Sequence, residues 1–360
     1  MNKKIFMGTL AVLMVMMILT GCTPKSPAPT PGSGAATAAS LPFEGVELVV
    51  ATWGWSAGNI RALSKTFEET YGCKILIDET AGNGDRINKI RAQQNNPEID
   101  VALISQGPVT SANADGLFEK IDTSVVTNLN NLYNFARNKD GYGPCYSMVR
   151  YGILYDAAQI AEKDAPKSYA DLFNGKYNGK ISLPDITTTA GAPLLMALAG
   201  DEKNLDKGFK ILTANKKNIK QFYFTSADVE TAFATKEIAV TVFMDMNVKS
   251  MRDKGLSIKW VEPDEGTIAA AATINVVKNC KNPKLAQLYV NYFLSDDVQN
   301  RIAEMTTEAP TNKNATMPEN MKEYLAFGEE AISKARDFDW IYIDQNRAAW
   351  IDRFQREVTN

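Results

Sequence analysis

The sequence predicts an α/β fold in which buried parallel strands alternate with helices. Three observations carry that prediction. Leu48–Trp55 reads Leu-Val-Val-Ala-Thr-Trp-Gly-Trp, a Val-rich apolar run too short for a buried helix and therefore a buried strand. Asn59–Thr70 follows with Ile60, Leu63, Ser64 and Phe67 on one face at helical spacing. Two more apolar runs, Lys74–Asp78 and Ile99–Ile104, then return the chain to the sheet. Each strand end opens into a polar or glycine-rich loop, and open α/β sheets bind ligands beyond the carboxyl ends of their strands.

Taken in order, the chain begins with an address. Lys3 and Lys4 precede the apolar stretch Ile5–Leu19, and Leu19-Thr20-Gly21-Cys22 closes it with small residues before a cysteine. This resembles a bacterial lipoprotein signal over 1–22, whose cleavage leaves Cys22 first and lipidated. The apolar part is short for a membrane span. Thr23–Ser40 is Pro, Ala, Gly, Ser and Thr with a single charge, Lys25, so 23–45 is expected to be a flexible tether. About 315 residues remain, enough for two domains.

Composition limits the chemistry. There is no histidine in 360 residues, which removes the commonest general base and metal ligand and any Ser-His-Asp arrangement. Cys73, Cys145 and Cys280 show no metal-ligand spacing. They read as buried small hydrophobes in preference to a single disulfide. The net charge of −3 gives no sign of a nucleic-acid partner. These features argue against an enzyme and point to no metal and no cofactor.

In the first half, Val46–Ala51 and Lys74–Asp78 flank the helix Asn59–Thr70. Gly82–Asp85 reads as a turn, Arg86–Asn95 as a short helix stopped by Pro97, and Ile99–Ile104 as a third strand. Ser105-Gln106-Gly107-Pro108 is a polar loop before a small helix Val109–Gly116. Trp53 and Trp55 at the first strand end are either a stacking platform or part of the core. In the second half, Ser182–Asp185 ends a strand and opens into Thr187, Thr188 and Thr189 before a helix Pro193–Ala199. Such a turn offers donors and a favourable helix dipole to an anion, or simply caps the helix. Asp228–Ala234 reads as a helix, and Ile238–Phe243 as a buried strand with Asp245 just past its end. Pro283–Leu294 and Val298–Met305 read as helices. Trp340, Trp350 and Phe354 read as packing residues of a last helical segment.

This order, with Gly116-Leu-Phe-Glu-Lys-Ile-Asp122, resembles the extracellular solute-binding proteins of ABC importers, in the branch containing spermidine/putrescine-binding and ferric-iron-binding proteins. Gly141–Tyr146 with Tyr151–Tyr155 is similar to that family's crossover into its second domain. Lys167–Phe173 with Lys176–Ile181 resembles its Ser-Trp-x-Asp-Leu and Tyr-x-Gly-Lys signature. Pro263–Gly266, Ala269–Val277, Asn282–Ala286 and Pro310–Asn312 resemble the return crossover. Each motif is loose by itself; their order over Val46–Val358 is specific.

The resemblance implies a type II periplasmic-binding-protein fold. Two α/β domains, each a mostly parallel sheet flanked by helices, would enclose a ligand cleft. The ranges are 46–147 plus 275–320 for the first and 148–274 plus 321–360 for the second. It implies an extracytoplasmic, lipid-anchored receptor that binds a small solute, hinges near Tyr146–Tyr151 and Gly266–Ile274, and docks on a permease with its ATPase. Two domains of this size bury adequate cores and no coiled-coil pattern demands a partner, so a monomer is expected. A signalling protein is the alternative partner. The expected ligand residues are Trp53, Trp55, Ser105, Gln106, Arg150, Asp185, Thr187, Thr188 and Asp245. The cleft Trp and Asp of polyamine binders fall within Ala269–Ala272 here, and Asp245-Met246-Asn247 stands where iron binders carry two tyrosines. Asp185 and Asp245 leave a polyamine-like solute open. Arg150, either an ion-pair partner or an anion ligand, leaves a phosphonate, carboxylate or sugar phosphate open.

Overall fold

A computed structural model describes residues 41–360 apart from Ala81, Ala326, Asp337 and the side chain of Glu330. The signal segment 1–22, its Cys22 and the tether as far as Ser40 lie outside the described residues.

The first βαβ unit forms as its periodicity predicts. Strand β1 (Glu47–Trp53) pairs in parallel with β2 (Lys74–Thr80) across helix α1 (Ala57–Tyr71), which buries Ile60, Leu63, Ser64 and Phe67. Helix α2 (Asn83–Ala92) starts three residues before Arg86. Gly82 is extended, and the Asn83 side chain accepts the Ser105 N–H at 3.0 Å, which anchors the first turn. Strand β3 (Val101–Ser105) runs directly into α3 (Gln106–Ala114), so Gln106 to Pro108 are helix and not loop. Proline is tolerated there because first-turn N–H groups have no intrahelical acceptor.

Strand β4 (Cys145–Asp156) is twelve residues long and buried throughout. In the second half, β5 (Ile181–Pro184), α4 (Gly191–Ala199), α5 (Asp206–Asn215), β6 (Ile219–Tyr223), α6 (Ser226–Ala234) and β7 (Val240–Met244) build another βα layer. Helix α7 (Asn247–Asp253) and strand β8 (Ile258–Val261) lead to β9 (Thr267–Val276). Helices α8 (Pro283–Phe293) and α9 (Asp296–Thr306), strand β10 (Ala309–Pro310), helix α10 (Gly328–Ser333), strand β11 (Ala335–Arg336) and helix α11 (Trp340–Phe354) complete the chain.

The sheet order is β2-β1-β3-β9-β4-β7-β5-β6, with β8 and β10 also paired to β4 and β11 to β9. Both ends are parallel: β1 with β2 and β3, and β5 with β6 and β7. The centre is antiparallel, with β9 between β3 and β4. Two large apolar cores flank this centre. One gathers Leu48 to Tyr146 with Ala271 to Ile302, and the other Val149 to Ile268 with Phe338 to Val358. Strand β4 gives Tyr146 to one and Val149 to the other; β9 gives Ile274 to the first and Ile268 to the second. Cys73 and Cys280 are buried free thiols whose pKa values burial pushes up to about 11 and about 12.

Candidate functional site

A cavity of about 620 Å³ opens where the two parallel ends of the sheet face each other. Residues of the first core's side supply one wall: Gly82 to Gly84, Ile87 and Asn88 at the start of α2, with Pro108 and Ser111 of α3. The opposite wall is the Thr187–Thr189 turn, Tyr223 to Ser226 between β6 and α6, and Tyr151, Phe243 and Met244 from β4 and β7. Helix α11 closes one end with Trp340, Asp344 and Arg347. A smaller hollow of about 300 Å³ near Ile90, Leu117 and Lys278 draws on the first side alone.

Local sequence explains this wall. The Asp185 carboxylate accepts the Thr187 N–H at 2.9 Å and the Thr187 hydroxyl at 2.7 Å. The Asp185 carbonyl accepts the Thr188 hydroxyl at 2.7 Å and its N–H at 2.9 Å. The turn then enters α4 at Gly191, where a Cβ would lie 2.2 Å from the Asp185 carbonyl oxygen, so only glycine fits. At α6, the Thr225 hydroxyl and the Asp228 carboxylate form a reciprocal cap, and these backbone hydrogen bonds hold the Asp228 carboxyl below its usual range. The starts of α2 and α6 and the turn that leads into α4 thus reach the cavity, and helix N-termini favour negative charge.

The back wall is aromatic. Tyr223 packs edge-on to Phe243 with ring centroids 5.5 Å apart, and its hydroxyl donates to the Val242 carbonyl at 2.8 Å. Burial raises the pKa of both Tyr151 and Tyr223, so both are neutral phenols. Phe224 is 64% exposed at the mouth. The Trp340 indole presses on Gly107 of α3, where an added Cβ would come within 2.6 Å of it.

The expected ligand residues divide into four groups. Thr187 and Thr188 line the cavity. Asp185 does not; it orders their turn from behind. Ser105 and Gln106 sit at the β3–α3 junction next to the wall, with the Ser105 hydroxyl accepting from the Asn83 side chain at 3.2 Å. Trp53 and Trp55 stack on each other with centroids 5.8 Å apart. Trp53 also meets the Arg86 guanidinium, 4.5 Å from the ring centroid, and belongs to the first core, so Trp53 (8% exposed) is enclosed while Trp55 is 58% exposed. Neither lines the cavity.

Arg150 and Asp245 are brought together, but on each other. The Arg150 Nε donates to Asp245 Oδ2 at 2.9 Å and its backbone N–H to Oδ1 at 3.0 Å. Asp245 also accepts the Met246 N–H, and Arg150 reaches Glu262 at 3.4 Å and lies over the Trp260 ring. Burial pushes the Asp245 carboxyl up against the opposing pull of Arg150. Sequence reasoning assigned Trp340 to packing and passed over Asp344 and Arg347. Trp340 does pack, yet it also lines the cavity. The amphipathic pattern of α11 holds no mark of which polar face meets a cleft formed by residues more than a hundred positions earlier.

A cleft beyond the carboxyl ends of strands, walled by two halves that a pair of long antiparallel strands joins, defines a periplasmic binding protein of the type II fold. The chain belongs to the family described as bacterial extracellular solute-binding protein, whose model matches residues 96–342. It is similar to the spermidine/putrescine-binding periplasmic protein of Escherichia coli, 23% identical over 264 residues that cover 70% of this chain and 74% of that one. An ABC transporter structure from Clostridium perfringens matches with a TM-score of 0.76 and 29% identity, covering 86% of this chain and 99% of that chain. The spermidine/putrescine substrate-binding protein of Streptococcus pneumoniae shares the fold, with a TM-score of 0.70 at 20% identity over 87% of this chain and 99% of that chain. Members of this family are binding proteins of ABC transporters, not enzymes.

Proposed function

We propose that this chain is the lipid-anchored receptor of an ABC importer, holding a small polar solute in the cleft between 46–147 plus 275–320 and 148–274 plus 321–360. Cys22 carries the lipid and 23–45 the tether, and the closed form is handed to the permease and its ATPase. The observation that carries the reading is the cavity of about 620 Å³ with walls from both halves of the sheet. A solute touching both walls stabilises the closed arrangement, because a ligand shifts an equilibrium only by its differential contacts with the two states.

Two solute classes are supported. Relatives named for spermidine and putrescine favour a polyamine-like solute. A relative from Salmonella typhimurium, 24% identical over 261 residues covering 69% of this chain and 73% of that one, is provisionally named for 2-aminoethylphosphonate and favours an anionic group. The cavity lining carries hydroxyls, helix starts, one carboxylate and one guanidinium among the described residues. Thermal-shift measurements on the body from Leu41 onward test the reading, since a ligand that binds only the native state raises the melting temperature. A shift that disappears when Thr187 and Thr188 are both replaced by Val supports the cleft; a shift that survives that change places the solute elsewhere. The anchor is tested by Cys22→Ser, which should release the protein from the membrane fraction.

A further inference from the structure

We propose that Arg347 of α11 is the specificity-determining cation of the cleft, seating the anionic group of a carboxylate, phosphate or phosphonate solute against the Thr187–Thr189 turn. The inference rests on the solute-receptor reading and names the charge of the solute.

Every other arginine among the described residues has either a carboxylate within 4 Å or a hydrogen bond to a carbonyl. Arg150 pairs with Asp245, Arg252 with Glu323, Arg336 with Glu202 and Arg353 with Asp206. Arg86 and Arg137 donate to main-chain carbonyls. Arg347 does neither, although it is half-buried and lines the largest cavity described. Burial lowers its pKa, with Asp344 one turn away pulling it back up. A cation partly removed from water and held in no ion pair gains most when an anion arrives.

A second observation lies beside it. Trp340, one of the α11 residues lining the same cavity, is 6% exposed, and its indole Nε1 is buried with no hydrogen-bond partner. Unpartnered buried donors are uncommon and call for an explanation. Across the cavity, Thr187 and Thr188 spend their hydroxyl protons on Asp185, which leaves the Thr189 hydroxyl as the donor of that turn, and no carboxylate but Asp344 lines the described wall.

Helix α11 is also well placed to read the solute. Its Trp340 end sits on Gly107 of α3, and its Phe354 end packs edge-on to Phe222 of β6, with ring centroids 4.9 Å apart. An anion bound at Arg347 therefore engages an element that touches both sides of the cleft.

The test measures titration calorimetry and thermal shift on the parent, Arg347→Gln and Arg347→Lys, with inorganic phosphate, 2-aminoethylphosphonate, 4-aminobutyrate, glucose 6-phosphate and putrescine as probes. At least one anionic probe should bind the parent, Arg347→Gln should weaken it about 10- to 100-fold, and Arg347→Lys should recover part of the loss. The melting temperature without solute should not move. Equal affinity of the parent and Arg347→Gln for an anionic probe overturns the proposal. Binding of putrescine alone overturns it while leaving the solute-receptor reading intact. Binding of no probe overturns the anion assignment and removes the support for the cleft as well.

Discussion

Arg150 and Arg347 are the same residue in two opposite situations. Arg150 lies where β4, β7 and β8 meet, and the register that sets Tyr151 opposite Met244 brings Asp245 alongside it. Its charge is answered within the chain by Asp245, and by Glu262 at the edge. Arg347 stands on the cleft-facing side of α11 with no ion pair or hydrogen bond from the chain, only the more distant pull of Asp344 one turn away. The difference teaches that a charge belongs to the fold when its partner is built in, and is available to a ligand when it is not. In the first region the polar groups hold together the strands that run between the two cores. In the second they wait at a surface.

The largest expected effect breaks the first region. Asp245→Ala leaves a buried guanidinium without its main partner, which costs about 3–5 kcal/mol in comparable buried pairs. Urea denaturation should show that loss, and a change under about 1 kcal/mol would mean that Glu262 alone suffices.

Next comes Glu308, buried beside the hydroxyls of Ser147 and Thr306 and near Asp245, with a carboxyl that burial pushes up to about 7. The folded chain keeps this proton where the unfolded chain, with an ordinary carboxyl near 4.3, has lost it. Stability therefore carries no penalty below the ordinary value, falls as pH rises toward about 7, and is level above it. Glu308→Gln should be more stable than the parent by about 3–4 kcal/mol at alkaline pH and equal to it in acid. Equal melting temperatures for the two across that whole range would show that Glu308 is ionised at no cost.

A smaller effect links the two regions. Gly107→Ala places a Cβ 2.6 Å from the Trp340 ring, and overpacking of this kind costs about 1–3 kcal/mol. Because Trp340 and Arg347 share α11, solute binding should weaken along with stability. Loss of stability with unchanged solute affinity would separate the packing of α11 from its role in the cleft. The smallest effect belongs to the second region: Arg347→Gln should alter unfolding by no more than about 0.5 kcal/mol, as expected of a group without partners. A larger loss measured in the same denaturation experiment would make Arg347 a structural residue.

Much of the architecture was legible in local pattern. The β1–α1–β2 unit follows from Val-rich runs around a helical stripe at Ile60, Leu63 and Phe67. The family order, the strand leading to Asp245 and the Thr187–Thr188 turn were readable too, because hydrophobic period and turn chemistry are short-range. Strand β4 was not read as one continuous strand, since Ser147 and Arg150 interrupt its apolar run and the partner of Arg150, Asp245, comes from a distant segment. Helix α3 was begun too late because Pro108 reads as a breaker unless its place in the first turn is known. The sequence by itself determined which segments are strands and helices and which residue types were on hand to meet a solute. Only the tertiary structure decided that Trp53 contacts both Arg86 and Trp55, that Arg150 and Asp245 satisfy each other, and that the last helix brings Arg347 to the cleft. Partnering is a property of distances between segments far apart in the chain, and the order of residues along it carries no such distances.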